Sequence, residues 1–231
     1  KARMLEPGYG YVRISTFQED TGRSLVREVN GLSKSQKGKL RGLVIDLRSN
    51  PGGLLDAALQ IADAFLDSGV IVSTRGRMGD SNLILRASPG DILAGAPIIV
   101  LVDVGSASAS EVVAGALKDQ KRALVMGSRT FGKGSVQKVF PMTRGDGIKL
   151  TISRYYTPNG KSIQANGIMP DVIVTGTANK AIREQDLVGH LAGDEEVNDG
   201  FSRGESISGD DIINRALARL KLASSPKRKT K

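Results

Sequence analysis

Serine residues cluster at one point of the sequence that suits nucleophilic chemistry. Residues 105–111 spell GSASASE and directly precede apolar residues at helical spacing. The unpaired N–H groups of a helix N-terminus stabilise negative charge, so a serine here would find an oxyanion hole in neighbouring amides. A serine at this place is also an ordinary helix cap, and Ser-x-x-Glu is a common cap signature. The spacing alone does not separate Ser106, Ser108 and Ser110 as the nucleophile.

One lysine follows at a distance that fits the same site. Lys133 lies between Gly132 and Gly134, 25 residues after Ser108, and one predicted strand separates the two. A lysine acts as a general base only when it is neutral, and burial lowers the pKa of a lysine toward the working range. Serine–lysine pairs are a known form of nucleophile activation. A lysine in a solvated glycine loop is the plainer alternative.

Two further glycine-rich features bear on the same site. In Asn50-Pro51-Gly52-Gly53 the double glycine allows close approach of the backbone, so one of its N–H groups would be a second oxyanion donor opposite Ala109. A tight strand-to-helix turn is the alternative. Residues 127–133 have the spacing of the phosphate-binding loop GxxxxGK[ST], but a glycine replaces the required hydroxyl residue. Nucleotide binding is therefore disfavoured.

The composition removes several other chemistries. The 231 residues contain no cysteine and one histidine, His190. A thiol nucleophile and a disulfide are excluded, and a zinc site, which takes three or four ligands, is not supported. We expect no metal and no organic cofactor. The net charge of +9 is compatible with nucleic acid, but aromatic residues are only 4% and no basic run lies before the C-terminal tail, so we expect a solvated basic surface. No apolar stretch is long enough to cross a membrane.

The elements that must position these segments alternate between strand and helix. Continuous apolar runs predict strands at residues 9–15, 43–47, 70–73, 97–103 and 123–126. Apolar residues at helical spacing predict helices near residues 19–32, 54–66, 109–117 and 210–222. Runs that are continuous rather than alternating are typical of parallel strands, so we predict an α/β fold with a mostly parallel sheet flanked by helices. The three glycine- and serine-rich segments each follow a strand and would meet at one edge of that sheet.

The second half of the chain predicts additions to this sheet. Residues 135–140 and 147–157 suggest hairpin strands added to an otherwise parallel sheet. Residues 189–211 suggest a loose acidic linker, and the amphipathic helix after it would pack on its own domain or on another subunit. We therefore divide the chain into a main domain, residues 1–175, and an extension, residues 176–231, with linker, helix and basic tail.

Four ordered motifs make a family resemblance visible. The chain contains GYGYVRISTF, LVIDLRSNPGG, GSASASEVVAGALKDQKRALVMGSRTFGKGSVQ and LTISRYYTPNGKSIQANGIMPDV. Over about residues 8–175 it closely resembles carboxyl-terminal processing peptidases, also called tail-specific proteases. The resemblance implies a Clp-peptidase/crotonase type of α/β fold and a serine endopeptidase with a Ser-Lys dyad. Residues 1–175 would then be its catalytic domain.

The resemblance also implies a role for individual residues. Ser108 would be the nucleophile, Lys133 the general base, and Gln137 the residue that positions the lysine. The oxyanion would be bound by the amides of Ala109 and Gly53. A supporting role would fall to Asp119.

Substrate and location follow from the resemblance alone. Substrates would be proteins or peptides with an unstructured C-terminus, the compartment would be the periplasm or cell envelope of a bacterium, and a homo-oligomer through the C-terminal helix is possible. Family members usually carry a PDZ domain before the GYxxI strand, and residues 1–231 contain none, so we expect little selection of C-terminal residues by this part. The alternatives are a catalytically silent scaffold and a crotonase-type acyl-CoA enzyme on the same fold.

Overall fold

The computed structural model describes residues 1–77, 81–142, 145–175, 182–194, 205–206 and 211–225. The strands within these residues are β1 (Ala2–Glu6), β2 (Tyr9–Arg13), β3 (Gly42–Asp46), β4 (Val70–Gly76), β5 (Leu83–Arg86), β6 (Ile98–Val102), β7 (Ala123–Gly127), β8 (Ser135–Pro141), β9 (Gly147–Tyr156), β10 (Val172–Thr175) and β11 (Glu205–Ser206). The helices are α1 (Thr21–Ser35), α2 (Leu55–Asp63), α3 (Ala109–Asp119) and α4 (Asp211–Ser224).

The main sheet has seven strands in the order β1-β2-β3-β6-β7-β10-β11. Strands β2 to β11 of this sheet run parallel, and only β1 is antiparallel to its neighbour. All five residues of β3 and all five of β6 are buried, because both faces of the sheet centre are covered. That burial explains their continuous apolar sequence and confirms the predicted α/β fold class.

The two faces of the main sheet carry different helices. Leu43 and Ile45 of β3 belong to the apolar cluster formed with α1, α2 and α3, whereas Val44 between them belongs to the cluster formed with α4. This alternation follows from the two-residue period of a strand. The sheet is therefore the middle layer of three, and its carboxyl edge is left for the segments that follow the strands.

A second sheet corrects one expectation from the sequence. The hairpin strands β8 and β9 do not extend the parallel sheet; they form a separate antiparallel sheet in the order β5-β4-β9-β8. The predicted strand at residues 70–73 is β4 and lies in this second sheet as well. A short apolar run indicates burial but does not indicate which strand it pairs with, so the sequence pattern could not separate the two sheets.

The C-terminal helix packs on its own chain. Its buried apolar side chains face Val44, Ile99 and Leu101 of the main sheet; they are Ile212, Ile213, Ala216, Leu217 and Leu220. At its end Lys221 forms an ion pair with Glu6 at 2.5 Å. These five side chains are therefore not available for the predicted subunit contact. Residues 195–204, 207–210 and 226–231, which include most of the predicted linker and the basic tail, lie outside the described residues.

Candidate active site

The segments that follow β3, β6 and β7 meet at the carboxyl edge of the main sheet. The Ala107 N–H donates to the Asn50 carbonyl and the Phe131 N–H donates to the Ser106 carbonyl, both at 3.0 Å. The Asn50 side chain is fully buried and donates to the Ile14 carbonyl at 2.8 Å, which fixes the first segment to β2. The structure thus brings together the three segments that the sequence placed after parallel strands.

The three serines of the GSASAS segment differ in what their side chains contact. Ser106 and Ser110 are fully buried, and their hydroxyls donate to the carbonyls of Leu47 at 2.8 Å and Asn50 at 2.9 Å. Ser108 is half-buried at the N-cap of α3 and has a φ of 55°. Non-glycine residues rarely adopt that backbone conformation, and where it occurs it clusters at functional sites. Ser108 is therefore the candidate nucleophile that the structure favours.

A glycine packs directly against the candidate nucleophile. Ala109 is the first residue of α3, so its N–H has no acceptor within the helix. A Cβ atom added to Gly52 would lie 2.9 Å from Ser108 Cβ and 3.0 Å from Ala109 N. Only glycine leaves room for this close approach, and the φ of 104° at Gly52 favours glycine independently.

The two glycine amides of this segment have different roles. The Gly52 N–H donates to Asn50 Oδ1 at 2.9 Å. Gly53 forms a parallel bridge with Phe17, in which the Phe17 N–H donates to the Gly52 carbonyl at 3.0 Å and the Leu54 N–H donates to the Phe17 carbonyl at 2.9 Å. That bridge does not use the Gly53 N–H. Of the two amides, the Gly53 N–H is therefore the one that has no acceptor within the described residues.

Glu111 joins the serine segment to the lysine segment, and the sequence analysis assigned it no role beyond a helix cap. Its Oε2 accepts from the N–H groups of Ser108 at 2.8 Å and Lys133 at 2.9 Å. Its Oε1 accepts from the Thr130 hydroxyl at 2.5 Å and the Gly132 N–H at 2.7 Å. Four donors on one fully buried carboxylate hold the backbone of both candidate catalytic residues in one frame. Ser-x-x-Glu was the only signal in the sequence.

The protonation of Glu111 depends on two opposing effects. Burial away from water raises the pKa of this carboxyl to about 7, although hydrogen bonds from Thr130 and from three backbone N–H groups act in the opposite direction. The geometry belongs to the ionised form, because both oxygens already accept two hydrogen bonds and neither has a lone pair left for a proton. A proton added to Glu111 must therefore displace a donor.

Lys133 is half-buried, and its side chain is not yet engaged. Within the described residues, Lys133 Nζ makes no hydrogen bond or ion pair, and none joins it to Ser108 Oγ. The structure therefore brings the two backbones together through Glu111 without a hydrogen bond between the side chains. Catalytic hydrogen bonds often form only when substrate is bound.

The other two predicted site residues lie away from this frame. Gln137 is exposed on β8, next to an irregularity in the β8–β9 pairing at Val136, and its side chain makes no hydrogen bond within the described residues. Asp119 is the last residue of α3, which places it about 16 Å from Ser108 along the helix axis, at the opposite helix end. Its carboxylate accepts from the Asn159 N–H at 3.0 Å. Within the described residues, neither side chain makes a hydrogen bond to Ser108 or Lys133.

A buried charge network fixes the end of β3, and the sequence analysis did not predict it. Asp46 is fully buried and accepts from Arg48 Nη2 at 2.6 Å, from the Tyr11 hydroxyl at 2.7 Å and from Arg13 Nη1 at 3.3 Å. Burial alone would raise the pKa of Asp46, but hydrogen bonds from Arg48 and Tyr11 outweigh it and the pKa is lowered. Arg13 also donates to the Arg48 carbonyl at 3.1 Å. The network therefore holds the start of the segment that carries Gly53.

Other candidate sites are not supported. After β7 the chain runs through residues 128–134 into strand β8, whereas a phosphate-binding loop leads into a helix. In the described part of the chain no group of three or more His, Asp or Glu residues could hold a metal ion. None of the described helices is long and apolar enough to span a membrane.

Known proteins match this chain in both sequence and fold. Residues 8–174 match the model of peptidase family S41. The chain is 45% identical over 204 residues to a carboxy-terminal-processing protease of Bartonella bacilliformis, a match that covers 85% of this chain and 47% of the relative. Its structure resembles that of a photosystem II D1 C-terminal processing protease with a TM-score of 0.65 at 41% identity, covering 74% of this chain and 44% of the other.

A more distant structure extends the likeness of the fold. A protein described as a putative S41 protease from Bacteroides fragilis aligns with 97% of this chain and 57% of its own, at a TM-score of 0.66 and 19% identity. The α/β fold with its mostly parallel sheet is thus that of the S41 proteases. The chain belongs to peptidase family S41. It spans about half the length of the relatives it matches.

Proposed function

We propose that this chain is a serine endopeptidase that acts through Ser108 and Lys133. The proposal rests on the backbone hydrogen bonds by which Glu111 joins Ser108 to Lys133. Ser108 has a positive φ at the cap of α3, Gly52 packs against it, and Glu111 ties its backbone to that of Lys133. The burial of the hydroxyls of Ser106 and Ser110 supports the choice among the three serines.

The proposed reaction has two stages. Ser108 Oγ attacks the peptide carbonyl carbon while neutral Lys133 Nζ takes the hydroxyl proton, and the N–H groups of Ala109 and Gly53 bind the oxyanion. The C–N bond then breaks, and Lys133 returns the proton to the leaving amine. A water molecule attacks the acyl-enzyme in the same way and restores the serine hydroxyl. For the first step the lysine side chain must turn toward Ser108, which its four rotatable bonds permit.

We also propose supporting roles for Gln137 and Asp119. Gln137 lies four residues after Lys133, and we propose that its amide orients Lys133 Nζ when substrate is bound. Asp119 accepts the Asn159 N–H, so its proposed contribution is to hold the turn after β9 on the end of α3. Both roles are indirect and should have smaller effects than those of Ser108 and Lys133.

The substrate and the compartment are also proposals. The names of the relatives support polypeptide substrates cleaved near an unstructured C-terminus. We propose action on the periplasmic or envelope side of a bacterium and no cofactor for the chemistry. A homo-oligomer would have to use surfaces other than the five buried side chains of α4.

Replacement of the nucleophile tests the proposal. Ser108→Ala should reduce cleavage of an unstructured polypeptide to background, as followed by mass spectrometry, and should abolish labelling by a fluorophosphonate probe. Ser106→Ala is the matched control, because it removes a hydroxyl two residues away that is buried in a structural hydrogen bond. It should lose stability but keep activity. A folded wild-type chain that neither cleaves nor labels would support the silent scaffold instead.

A further inference from the structure

The loop that carries Lys133 is held by a second buried side chain besides Glu111. Three consecutive N–H groups, those of Gly132, Lys133 and Gly134, donate to side-chain oxygens rather than to other backbone. Glu111 accepts the first two, and Gln164 Oε1 accepts the third at 3.1 Å. The reaction as proposed above gives no role to Gln164.

Gln164 is one of the largest fully buried side chains of the molecule. A buried amide is retained only where its donors and acceptor are satisfied. Its acceptor faces the lysine loop, and its amide group donates to the Leu191 carbonyl at 2.8 Å and to Glu184 Oε1 at 3.3 Å. Gln164 therefore forms a bridge between the lysine loop and residues 182–194 of the extension.

The backbone around Gln164 is fitted equally closely to the lysine loop. The Ala165 N–H donates to the Gly132 carbonyl at 2.9 Å, and the Tyr155 N–H donates to the Gly134 carbonyl at 2.7 Å. A Cβ atom added to Gly134 would clash with the backbone N of Gln164. The loop is thus packed against residues 163–167 without space for movement on that side.

Residues 182–194 touch the same loop from a second direction. The Glu184 N–H donates to the Phe131 carbonyl at 3.0 Å, two residues before Lys133. Asp194, at the other end of this segment, accepts from Arg154 Nη1 at 2.5 Å and from the Tyr156 hydroxyl at 2.7 Å on β9. The segment is therefore anchored on both sides of the loop, and Gln164 lies beneath it.

We infer that Gln164 is a positioning residue for the base, and that it transmits the placement of residues 182–194 to the Lys133 loop. The inference rests on the proposed role of Lys133. A general base must lie within hydrogen-bond reach of the proton it takes, and a misplacement of about 1 Å lowers the rate on the order of 100-fold. Glu111 fixes the first two amides of the loop, so the extension can influence the base through the third amide, in addition to the bond of the Glu184 N–H to the Phe131 carbonyl.

Two substitutions at Gln164 test its hydrogen bond to the lysine loop and its hydrogen bonds to residues 182–194. Gln164→Leu removes the acceptor and the donors, and we expect kcat to fall on the order of 100-fold with KM within about twofold. Gln164→Glu keeps an oxygen for the Gly134 N–H but sets a buried carboxyl against the Leu191 carbonyl and the Glu184 carboxylate, so we expect a kcat no higher than that of Gln164→Leu if the contact with residues 182–194 matters. The matched control is Gln120→Leu, which removes an amide that donates to the Val70 carbonyl at 2.8 Å, away from the loop.

The role of the extension is tested without altering Gln164. A Cβ atom at Gly193 would lie 2.6 Å from the Gln164 carbonyl oxygen, so Gly193→Ala should displace residues 182–194 while both glutamine bonds remain chemically possible. We expect kcat and the rate of fluorophosphonate labelling at Ser108 to fall together, with KM nearly unchanged. Thermal unfolding of each variant is measured alongside.

The outcomes distinguish this inference from the proposed function. If Ser108→Ala and Lys133→Ala stay active, the proposed function is wrong. If those two are inactive but Gln164→Leu loses no more kcat than Gln120→Leu, only the positioning role is overturned. If Gly193→Ala keeps the wild-type kcat while Gln164→Leu does not, the link to residues 182–194 is overturned.

Discussion

The two halves of the candidate site, one with Ser108 and one with Lys133, are held by different parts of the fold. Ser108 caps α3, a helix whose first nine residues are all buried. Lys133 precedes β8, the edge strand of the second sheet, and β8 is exposed from Gln137 onward. The first five residues of β9 are exposed as well. The nucleophile therefore takes its position from the core, whereas the base lies where the core ends.

This difference explains why buried side chains hold the lysine loop. A loop that leads into an exposed hairpin is held only weakly by apolar packing. Hydrogen-bond acceptors on buried side chains must therefore fix its backbone. Glu111 supplies part of that restraint from the nucleophile side and Gln164 supplies the rest. Changes on the nucleophile side should remove the chemistry, while changes around the loop should mainly misplace the base.

The largest loss of activity is expected at Lys133. Its substitution by arginine keeps a long basic side chain but removes the ability to accept a proton. Lys133→Arg should be as inactive as Lys133→Ala, at least about 1,000-fold below wild type in kcat/KM, because a guanidinium stays protonated at any working pH. Both variants should keep the wild-type melting temperature, since the side chain makes no hydrogen bond or ion pair within the described residues. Lys138→Arg, on the exposed part of β8, is the control and should be fully active. High activity of Lys133→Arg would show that position alone suffices.

A smaller effect is expected from the carboxylate that joins the halves. Glu111→Gln keeps the size of the side chain, but its amide group cannot accept from two N–H groups as Oε2 does. We expect kcat/KM to fall on the order of 100-fold and the melting temperature to fall as well. Steady-state kinetics with Glu19→Gln, an exposed glutamate, as control would measure this. A variant with the activity of wild type would show that the two halves are held by other contacts.

The pH dependence of the same residue gives a sharper test. The folded-state pKa of Glu111, about 7, lies above the ordinary value of 4.5, so the native state retains a proton that the unfolded chain releases. The contribution of Glu111 to the free energy of unfolding therefore falls as the pH rises from about 4.5 to 7, by on the order of 3 kcal/mol. Activity should rise over this range, because the ionised form accepts all four donors. The Glu111→Gln variant should lose the stability change, as measured by denaturant unfolding at several pH values.

The sequence predicted the nucleophile side better than the base side. Strands β3, β6 and β7 are continuous apolar runs because both faces of the sheet are covered, and so the segments that follow them could be placed at one edge. Strands β1, β5, β10 and β11 were missed, and of these β1 and β5 are short and partly exposed, with no such signal. Gln137 and Asp119 came from the family resemblance, and neither forms a hydrogen bond with Ser108 within the described residues.

The contacts of Glu111 and Gln164 show what a sequence pattern does not contain. Glu111 fits a cap signature three residues after Ser108, and its partners Thr130, Gly132 and Lys133 become neighbours only when β7 lies beside β6. Gln164 lies in the last of the four family motifs, but its side-chain partners are 20 to 30 residues away. Spacing along the chain predicts contacts within a helix or a turn, whereas these bonds depend on how separate loops pack.

The smallest effects on activity are expected from substitutions at two leucines, one on the main sheet and one in the outer hairpin. Leu220 of α4 is fully buried against the main sheet, whereas Leu150 of β9 is 50% exposed in the outer hairpin. Leu220→Ala should lower the free energy of unfolding by about 2–5 kcal/mol, because it leaves a cavity in a packed cluster. Leu150→Ser should change it by less than about 1 kcal/mol. Neither variant should change kcat for a short peptide by more than about twofold.

The result for Leu150→Ser shows whether the outer hairpin is exposed in solution or covered by another surface. If the outer hairpin only projects into solvent, a polar residue there is tolerated and the base keeps its place through Glu111 and Gln164. A stability loss as large as that of Leu220→Ala would mean that this surface is covered in solution, because an exposed leucine has little burial to lose. Analytical ultracentrifugation of the wild type and of Leu150→Ser would then show whether a second copy of the chain covers it. A monomer in both samples, with equal stability, would confirm that the base half depends on its two buried acceptors rather than on the hairpin that follows.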